Sequence, residues 1–81
     1  MAELKLRLSQ LTPGQRGRIA AVEGEDYLSR RLLEMGLLEG EVVEVLTLAP
    51  LGDPMELRLG DYRLSLRHSE AQRVVVSLET D

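Results

Sequence analysis

The side chains best suited to chemistry in this sequence are His68 and Glu70, which lie two residues apart. An imidazole and a carboxylate both bind borderline divalent metals. A stable site generally needs three or four protein ligands, and the chain has no Cys to add to this pair. We therefore treat His68 and Glu70 as candidate ligands for a hard or borderline divalent metal. The alternative is that His68 ends a strand in solvent and Glu70 caps the following turn.

Catalytic and nucleotide-binding patterns are absent from the sequence. Nucleophilic catalysis needs a nucleophile, a base and an orienting group. His68 is the one histidine of the chain, and no G-x-S-x-G segment occurs. Neither G-x-x-x-x-G-K-[ST] nor G-x-G-x-x-G is present to bind phosphates. The sequence therefore predicts a protein that is not an enzyme, with no catalytic and no cofactor-binding residues.

The length and composition predict a single domain over residues 1–81. Hydrophobic residues make up 43% of the chain and charged residues 30%, a balance typical of a folded globular protein. The first five residues include an early Glu and no apolar run, so we expect no export signal. Charges interrupt every apolar stretch before it reaches the length of a membrane helix. These features predict a cytoplasmic protein without membrane insertion.

The charge and the aromatic content argue against nucleic-acid binding. The formal net charge is −4, whereas contacts to a phosphate backbone need clustered Lys and Arg. Two Tyr, no Trp and no Phe leave no platform on which bases could stack. Nine of the ten basic residues are Arg, which makes planar bidentate contacts with carboxylates. An Arg-rich surface suits docking on another protein, or else salt bridges to the chain's own Glu residues.

Gly and Pro residues divide the chain into about five predicted strands and one helix. The segments 15–23, 41–49 and 74–78 are rich in Val, Ile and Leu and predict strands. The segment 69–71 is compatible with a helical turn before the last strand. Between the first two strands, the segment 25–35 has helical periodicity, with apolar residues on one face at Leu28, Leu32 and Met35.

The predicted helix has signals at both ends. Glu25 and Asp26 are expected in its first turn, where the helix dipole favours negative charge. Gly36 follows its last residue, at the position where a left-handed glycine commonly ends a helix. We expect this helix to plug one open end of the core.

Two alternating segments predict a β-hairpin over 55–59 and 62–66. Gly60 is the first of the two turn residues, which suits a type II′ turn. This turn fixes the register and sets Arg58 opposite Arg63 on the outer face. About five short strands in a chain of this length bury a core most economically by curling into a small barrel.

Four leucines fall outside the predicted core. Leu33 lies off the apolar stripe of the helix, so it needs either a partner or cover from another part of the chain. Leu37 and Leu38 follow the helix, and Leu51 lies in the loop APLGDP. Apolar anchors with an Arg rim are typical of protein interfaces. We predict a partner-binding surface formed by Leu33, Leu37, Leu51, Arg58 and Arg63.

Three segments together resemble the FeoA family of ferrous iron transport accessory proteins. They are RRLLEMGLLEGEVVEV over 30–45, APLGDPM over 49–55 and LSLRHSEAQRVVV over 64–76. The opening LTPGQ over 11–15 is similar as well, so the resemblance covers nearly the whole chain. One departure is Glu39, where the family often has Pro, and it affects only the turn before Gly40.

The resemblance implies a mainly β, SH3-like barrel of about five strands with one α-helix between the first two. It also implies a small cytoplasmic accessory or regulatory protein of ferrous iron uptake. This protein would dock on the cytoplasmic G-protein domain of the FeoB transporter, and the guanine nucleotide would belong to that partner. Proline-rich peptides, the ligands of many SH3 domains, need an aromatic-lined groove that two Tyr cannot form.

Other functions stay open from the sequence. One is an Fe(II)-sensing module related to the C-terminal SH3-like domain of iron-dependent repressors, although this chain has no DNA-binding domain beside it. Another is an RNA-binding barrel of the ribosomal type, which the negative charge disfavours. Homodimerisation through a sheet edge or the leucine surface is also open. So is the choice between activation, inhibition and assembly of the transporter.

Overall fold

Six antiparallel strands form the framework of the protein in the computed structural model, which describes residues 4–79. They lie in one sheet in the order β1-β6-β2-β3-β4-β5. The strands are β1 Lys5–Arg7, β2 Arg16–Val22, β3 Val42–Leu48, β4 Met55–Leu59, β5 Tyr62–Leu66 and β6 Val74–Glu79. The connections include helices α1 Tyr27–Glu34 and α2 His68–Ala71 and the 3-10 turns Leu8–Gln10 and Pro50–Gly52.

The ends of the chain limit two of the predictions. Residues 1–3 and 80–81 of the predicted domain lie outside the described residues. Most of the segment on which the export prediction depends lies there too. Over residues 4–79, no helix is long and apolar enough to cross a membrane.

The predicted mainly β class is confirmed, with one more strand than expected. The additional strand is β1, in which Leu6 pairs with Val76 of β6. Its three residues are Lys, Leu and Arg, too few for an alternating pattern to be recognised. Because β1 precedes the first predicted strand, α1 joins β2 and β3, the second and third strands along the chain.

The core is aliphatic and receives side chains from the strands, both helices and the first 3-10 turn. Val43 and Val45 of β3 alternate inward, and Leu32 brings α1 onto the sheet. Burial of such side chains is the main favourable term in folding, at about 25 cal/mol per Å² of apolar surface. The fully buried large side chains include Leu8, Leu11, Ile19, Leu32, Leu37, Met55, Leu57, Leu66, Val74 and Val76.

Helix α1 begins later than predicted. Asp26 is its N-cap, with extended backbone, and its carboxylate accepts a hydrogen bond from the Ser29 N–H at 3.2 Å. The two acidic residues therefore precede the helix, since a short carboxylate satisfies a free N–H better from the cap position. The predicted end is confirmed, because Gly36 follows the C-cap with a φ of 102°.

The hairpin has the predicted register. Leu59 pairs with Tyr62 across the turn, and Arg58 pairs with Arg63. Gly60 has a φ of 61°, and the residue after it has no positive φ, which is the pattern of a type II′ turn. The Tyr62 hydroxyl donates a hydrogen bond to the Met35 carbonyl at 2.5 Å, so the hairpin is tied to the end of α1.

Candidate partner-docking surface

The loop that joins β3 to β4 presents Leu51 to solvent. Its side chain is fully exposed, at 105% of the reference area. Its backbone has a φ of 70° and a ψ of 9°, and it is the non-glycine residue with a positive φ in residues 4–79. The left-handed region costs a residue with a Cβ about 1–2 kcal/mol. Neither the conformation nor the exposure of Leu51 benefits the isolated fold.

Hydrogen bonds around the loop hold the exposed leucine in this position. The Gly52 N–H donates to the Ala49 carbonyl at 2.8 Å, and the Ala49 N–H donates to the Pro54 carbonyl at 3.0 Å. The Asp53 carboxylate accepts a hydrogen bond from the His68 N–H at 2.9 Å. This last bond ties the loop to the start of α2, so the backbone around Leu51 is held in place.

A shallow groove runs beside Leu51, and Leu48 lines it as well. Leu48 is 38% exposed, so two exposed apolar side chains border one surface depression. Sequence reasoning missed Leu48. The available signal was its position as the last residue of β3, next to the loop that contains Leu51. The groove is also lined by Ser9, Gly52, Asp53, Met55 and His68.

The leucines around the end of α1 divide between surface and core. Leu33 and Leu38 are 42% and 48% exposed, whereas Leu37 is fully buried. The prediction that Leu37 belongs to an exposed surface is therefore wrong. The chain turns at Gly36 and directs Leu37 into the core, where its N–H also donates to the Leu32 carbonyl. No residue of α1 lines the groove beside Leu51, so Leu33 and Leu51 do not share it.

The two predicted rim arginines have different surroundings. Arg58 and Arg63 face each other across the hairpin, and both are exposed. Arg58 lies 3.6 Å from the Glu44 carboxylate, a long ion pair. Within the described part of the chain, no ion pair is found for Arg63. Of the two, Arg63 presents the uncompensated charge.

Among the described residues, 4–79, ion pairs are found for at least five of the nine Arg residues. The alternative reading of the Arg content, salt bridges to the chain's own acids, therefore holds for more than half of them. Exposed pairs of this kind contribute little stability, about 0–1 kcal/mol each. The pairs are Arg7–Glu23, Arg18–Glu79, Arg31–Glu70, Arg58–Glu44 and Arg73–Asp26.

The Arg73–Asp26 pair has the best geometry. Two guanidinium nitrogens donate to the two carboxylate oxygens at 2.8 and 2.9 Å. Together with the Ser29 N–H, this hydrogen bonding holds the pKa of Asp26 well below its usual range, and the Asp26 carboxylate raises the pKa of Arg73. The pair joins the N-terminus of α1 to the residue before β6.

The candidate metal ligands do not form a centre with further acidic groups. The Glu70 carboxylate accepts the Arg67 N–H at 2.8 Å and lies 3.4 Å from Arg31. Glu70 thus caps α2, as the alternative expected, whereas His68 begins this helix rather than ending β5. Over residues 4–79 there is no group of three or more His, Asp and Glu side chains placed to hold a metal ion.

Comparison with known proteins identifies the family. The model of the FeoA domain matches residues 6–78. The chain is 41% identical over 73 residues to an Fe(2+) transport protein A/Fe(2+) transporter FeoB fusion protein from Porphyromonas gingivalis strain ATCC BAA-308 / W83. This match covers 90% of the chain and 9% of the fusion protein, so the chain spans a small part of that relative's length.

Solved structures give the same result. The FeoA-like protein from Clostridium acetobutylicum has a TM-score of 0.90 and 30% identity, over 100% of this chain and 93% of that one. Stenotrophomonas maltophilia FeoA complexed with zinc, an SH3 domain protein, has a TM-score of 0.80 and 36% identity, over 91% and 95%. A manganese-dependent transcriptional repressor shares the fold alone, with a TM-score of 0.85 at 16% identity over 98% and 44%.

The SH3-like prediction is thereby confirmed. The fused relative is named as a protein of Fe(2+) transport. The agreement of the family match, the sequence identity and the six-stranded fold leads to one assignment: this chain belongs to the FeoA family.

Proposed function

We propose that this protein is a cytoplasmic, non-catalytic accessory protein of ferrous iron uptake. Its single domain over residues 1–81 docks on the cytoplasmic G-protein domain of a FeoB-type transporter. The observation that carries the proposal is the relative in which the two proteins are fused. Fusion keeps two modules at a high effective concentration, which suits partners that act while in contact.

The loop over residues 49–54, which joins β3 to β4 and is called the leucine loop below, is proposed to make the central contact with the partner. Leu51 and Leu48 border one groove, and the loop beneath them is held by hydrogen bonds to its own backbone and to α2. An apolar side chain on a fixed support loses little conformational entropy when a partner covers it. The unusual backbone of Leu51 supports a role in function, because such strain persists where function needs it. Leu33 and Arg63 are proposed as peripheral contacts.

A binding experiment with a matched control tests the proposal. The labelled chain is titrated by NMR with the FeoB cytoplasmic domain, with and without guanine nucleotide. Leu51→Ser is expected to weaken the complex by about tenfold. Leu4→Ser changes the same residue type at a position that is also exposed, at 61%, and is expected to keep the affinity within about twofold.

The result that would remove direct docking is equally clear. Direct docking would be contradicted if a well-dispersed spectrum showed no shifts at high micromolar partner concentration, both in the presence and in the absence of nucleotide. Equal effects of Leu51→Ser and Leu4→Ser on the affinity would mean that the partner binds, but not through Leu51.

A second candidate function is the sensing of Fe(II) or another divalent metal. The Stenotrophomonas maltophilia relative solved with zinc favours it. In this chain His68 and Asp53 border one groove, but no third acid or imidazole joins them in residues 4–79. Anaerobic calorimetry with Fe(II) tests the idea on the chain and on His68→Ala. Absence of saturable heat from the unaltered chain would eliminate it.

A further inference from the structure

Among residues 4–79, strand β5 lies at the edge of the sheet and is paired only with β4. Because a two-residue turn joins it to β4, Tyr62 and Leu64 make the ladder bonds with that strand. Arg63 and Ser65 alternate with them, so their backbone N–H and C=O groups point away from β4. Within the described ranges, no backbone group of another element bonds to them. The edge thus offers two donors and two acceptors.

A groove borders the C-terminal half of this edge. Ser65 and Arg67 of the β5 segment form one side, and Leu28 and Arg31 of α1 form the other. Leu28 is half-buried and packs against the core, so it provides an apolar floor. The groove is completed by Pro54, Ser69 and Glu70.

The acidic side chain of the groove has partners within the chain, whereas the basic side chains are only partly paired. Glu70 is the acidic lining residue, and both of its oxygens face donors of this chain, at 2.8 and 3.4 Å. Arg67 has an exposed side chain, for which no ion pair is found in residues 4–79. Arg31 is half-exposed, and the ion pair found for it in residues 4–79 is the longer of these two contacts. Two guanidinium groups are therefore available to an additional carboxylate.

We propose that this groove binds an extended acidic segment of a partner protein. The segment adds a strand to β5 through Arg63 and Ser65, rests an apolar side chain on Leu28 and places a carboxylate between Arg31 and Arg67. Strand addition of this kind takes affinity from main-chain hydrogen bonds and specificity from side-chain pockets. The inference goes beyond docking through the leucine loop, because neither Leu48 nor Leu51 lines this groove.

A second copy of the chain is a poor occupant. Pairing two β5 edges would place the Arg63 side chains of both copies on the same short two-stranded ladder. Charged residues on an edge strand are a common means by which proteins avoid such self-association. The same guanidinium groups attract an acidic strand, so the charge selects between the two occupants.

Model peptides test the proposal without knowledge of the natural partner. The labelled full chain is titrated with short blocked peptides in which Val alternates with Glu, or with Lys. The acidic peptide is expected to bind saturably, to shift the amides of Arg63 and Ser65 and to slow their hydrogen exchange by about tenfold. The basic peptide is expected to produce no saturable shift.

Two variants with matched controls locate the site. Ser65→Pro removes an edge N–H at a position where an edge strand tolerates Pro, and is expected to weaken the acidic peptide by about tenfold. Ser65→Ala keeps the backbone and is expected to stay within about twofold. Should Ser65→Pro fail to fold, Arg67→Glu gives the same loss, with Arg30→Glu on exposed α1 surface as its control.

Several outcomes would overturn the inference. They are absence of saturable binding, equal binding of both peptides, an unchanged affinity of Arg67→Glu, and a β5-mediated dimer at rising chain concentration. Leu51→Ser is expected to bind the acidic peptide as the unaltered chain does. If Leu51→Ser bound the FeoB cytoplasmic domain more weakly but kept its affinity for the acidic peptide, the result would concern the docking proposal and not this groove.

Discussion

The cluster that anchors α1 and the leucine loop differ in whether their side chains are buried or have partners within the chain. At the α1 anchor, formed by Asp26, Ser29, Leu32 and Arg73, each side chain has a partner within the chain or is buried. In the leucine loop, the backbone is well bonded while Leu51 is exposed and has a positive φ. The comparison indicates that the anchor serves stability, and it supports the proposal that the loop contacts a partner.

The largest expected effect is at the buried member of the α1 anchor. Leu32→Ala removes a fully buried side chain and is expected to lower the free energy of unfolding by about 2–5 kcal/mol. This is a large share of the stability of a small domain. Urea unfolding measures it, with Leu33→Ala next to it as a control expected to change less than about 0.5 kcal/mol. Equal losses in both variants would mean that Leu33, too, is part of the core.

The polar member of the anchor has a smaller expected effect that depends on pH. Asp26→Asn loses the ion pair with Arg73 but can still cap the helix through its amide oxygen. Its melting temperature at neutral pH is therefore expected to fall, whereas that of Glu25→Gln is expected to stay unchanged. The folded state lowers the pKa of Asp26 below its unfolded value, mainly through the hydrogen bond from Arg73. Between the two pKa values the unfolded chain binds more protons. The stabilisation is therefore present above the unfolded pKa and is lost as pH falls towards the folded one.

Thermal unfolding over acidic pH tests this sign. The melting temperatures of the unaltered chain and Asp26→Asn are expected to converge as pH falls below the ordinary range of a carboxyl group. A gap that stays constant into strong acid would show that the charge of Asp26 has no part in the anchor. Glu25→Gln, one residue earlier, controls for the loss of an acid in the same segment.

The smallest expected effect, and one of opposite sign, is in the leucine loop. Leu51→Asn places a residue that tolerates the left-handed region at this position and removes an exposed apolar side chain. Stability is expected to stay level or rise by about 1 kcal/mol, while docking on the FeoB domain weakens. Urea unfolding and the NMR titration measure the two quantities. A clear loss of stability would mean that the leucine packs within the chain.

Local patterns were sufficient for several elements. Helical spacing predicted α1 within two residues at its start, and alternation with Gly60 predicted the hairpin register that faces Arg58 with Arg63. These features depend on contacts between near neighbours in sequence, so the sequence contains their signals. The start of α1 was misplaced because cap and first turn both favour acidic residues.

Burial and long-range pairing were not predictable in the same way. Leu37 and Leu38 are adjacent leucines, yet one is fully buried and the other is 48% exposed. Strand β1 exists through its pairing with β6, some seventy residues later, and its own three residues give no pattern. The grouping of Arg67 with Arg31 likewise depends on a strand end and a helix that meet only in the folded chain.

The sequence by itself determined the class of fold, the helix, the hairpin and, through its resemblance, the family. These follow from periodicity, turn chemistry and shared motifs, all of which are properties of short segments. Only the tertiary structure decided which leucines face solvent, that Glu70 is committed to capping α2, and that one edge of the sheet opens into a groove between two arginines. The physical reason is that exposure and charge compensation are set by distant segments packing together.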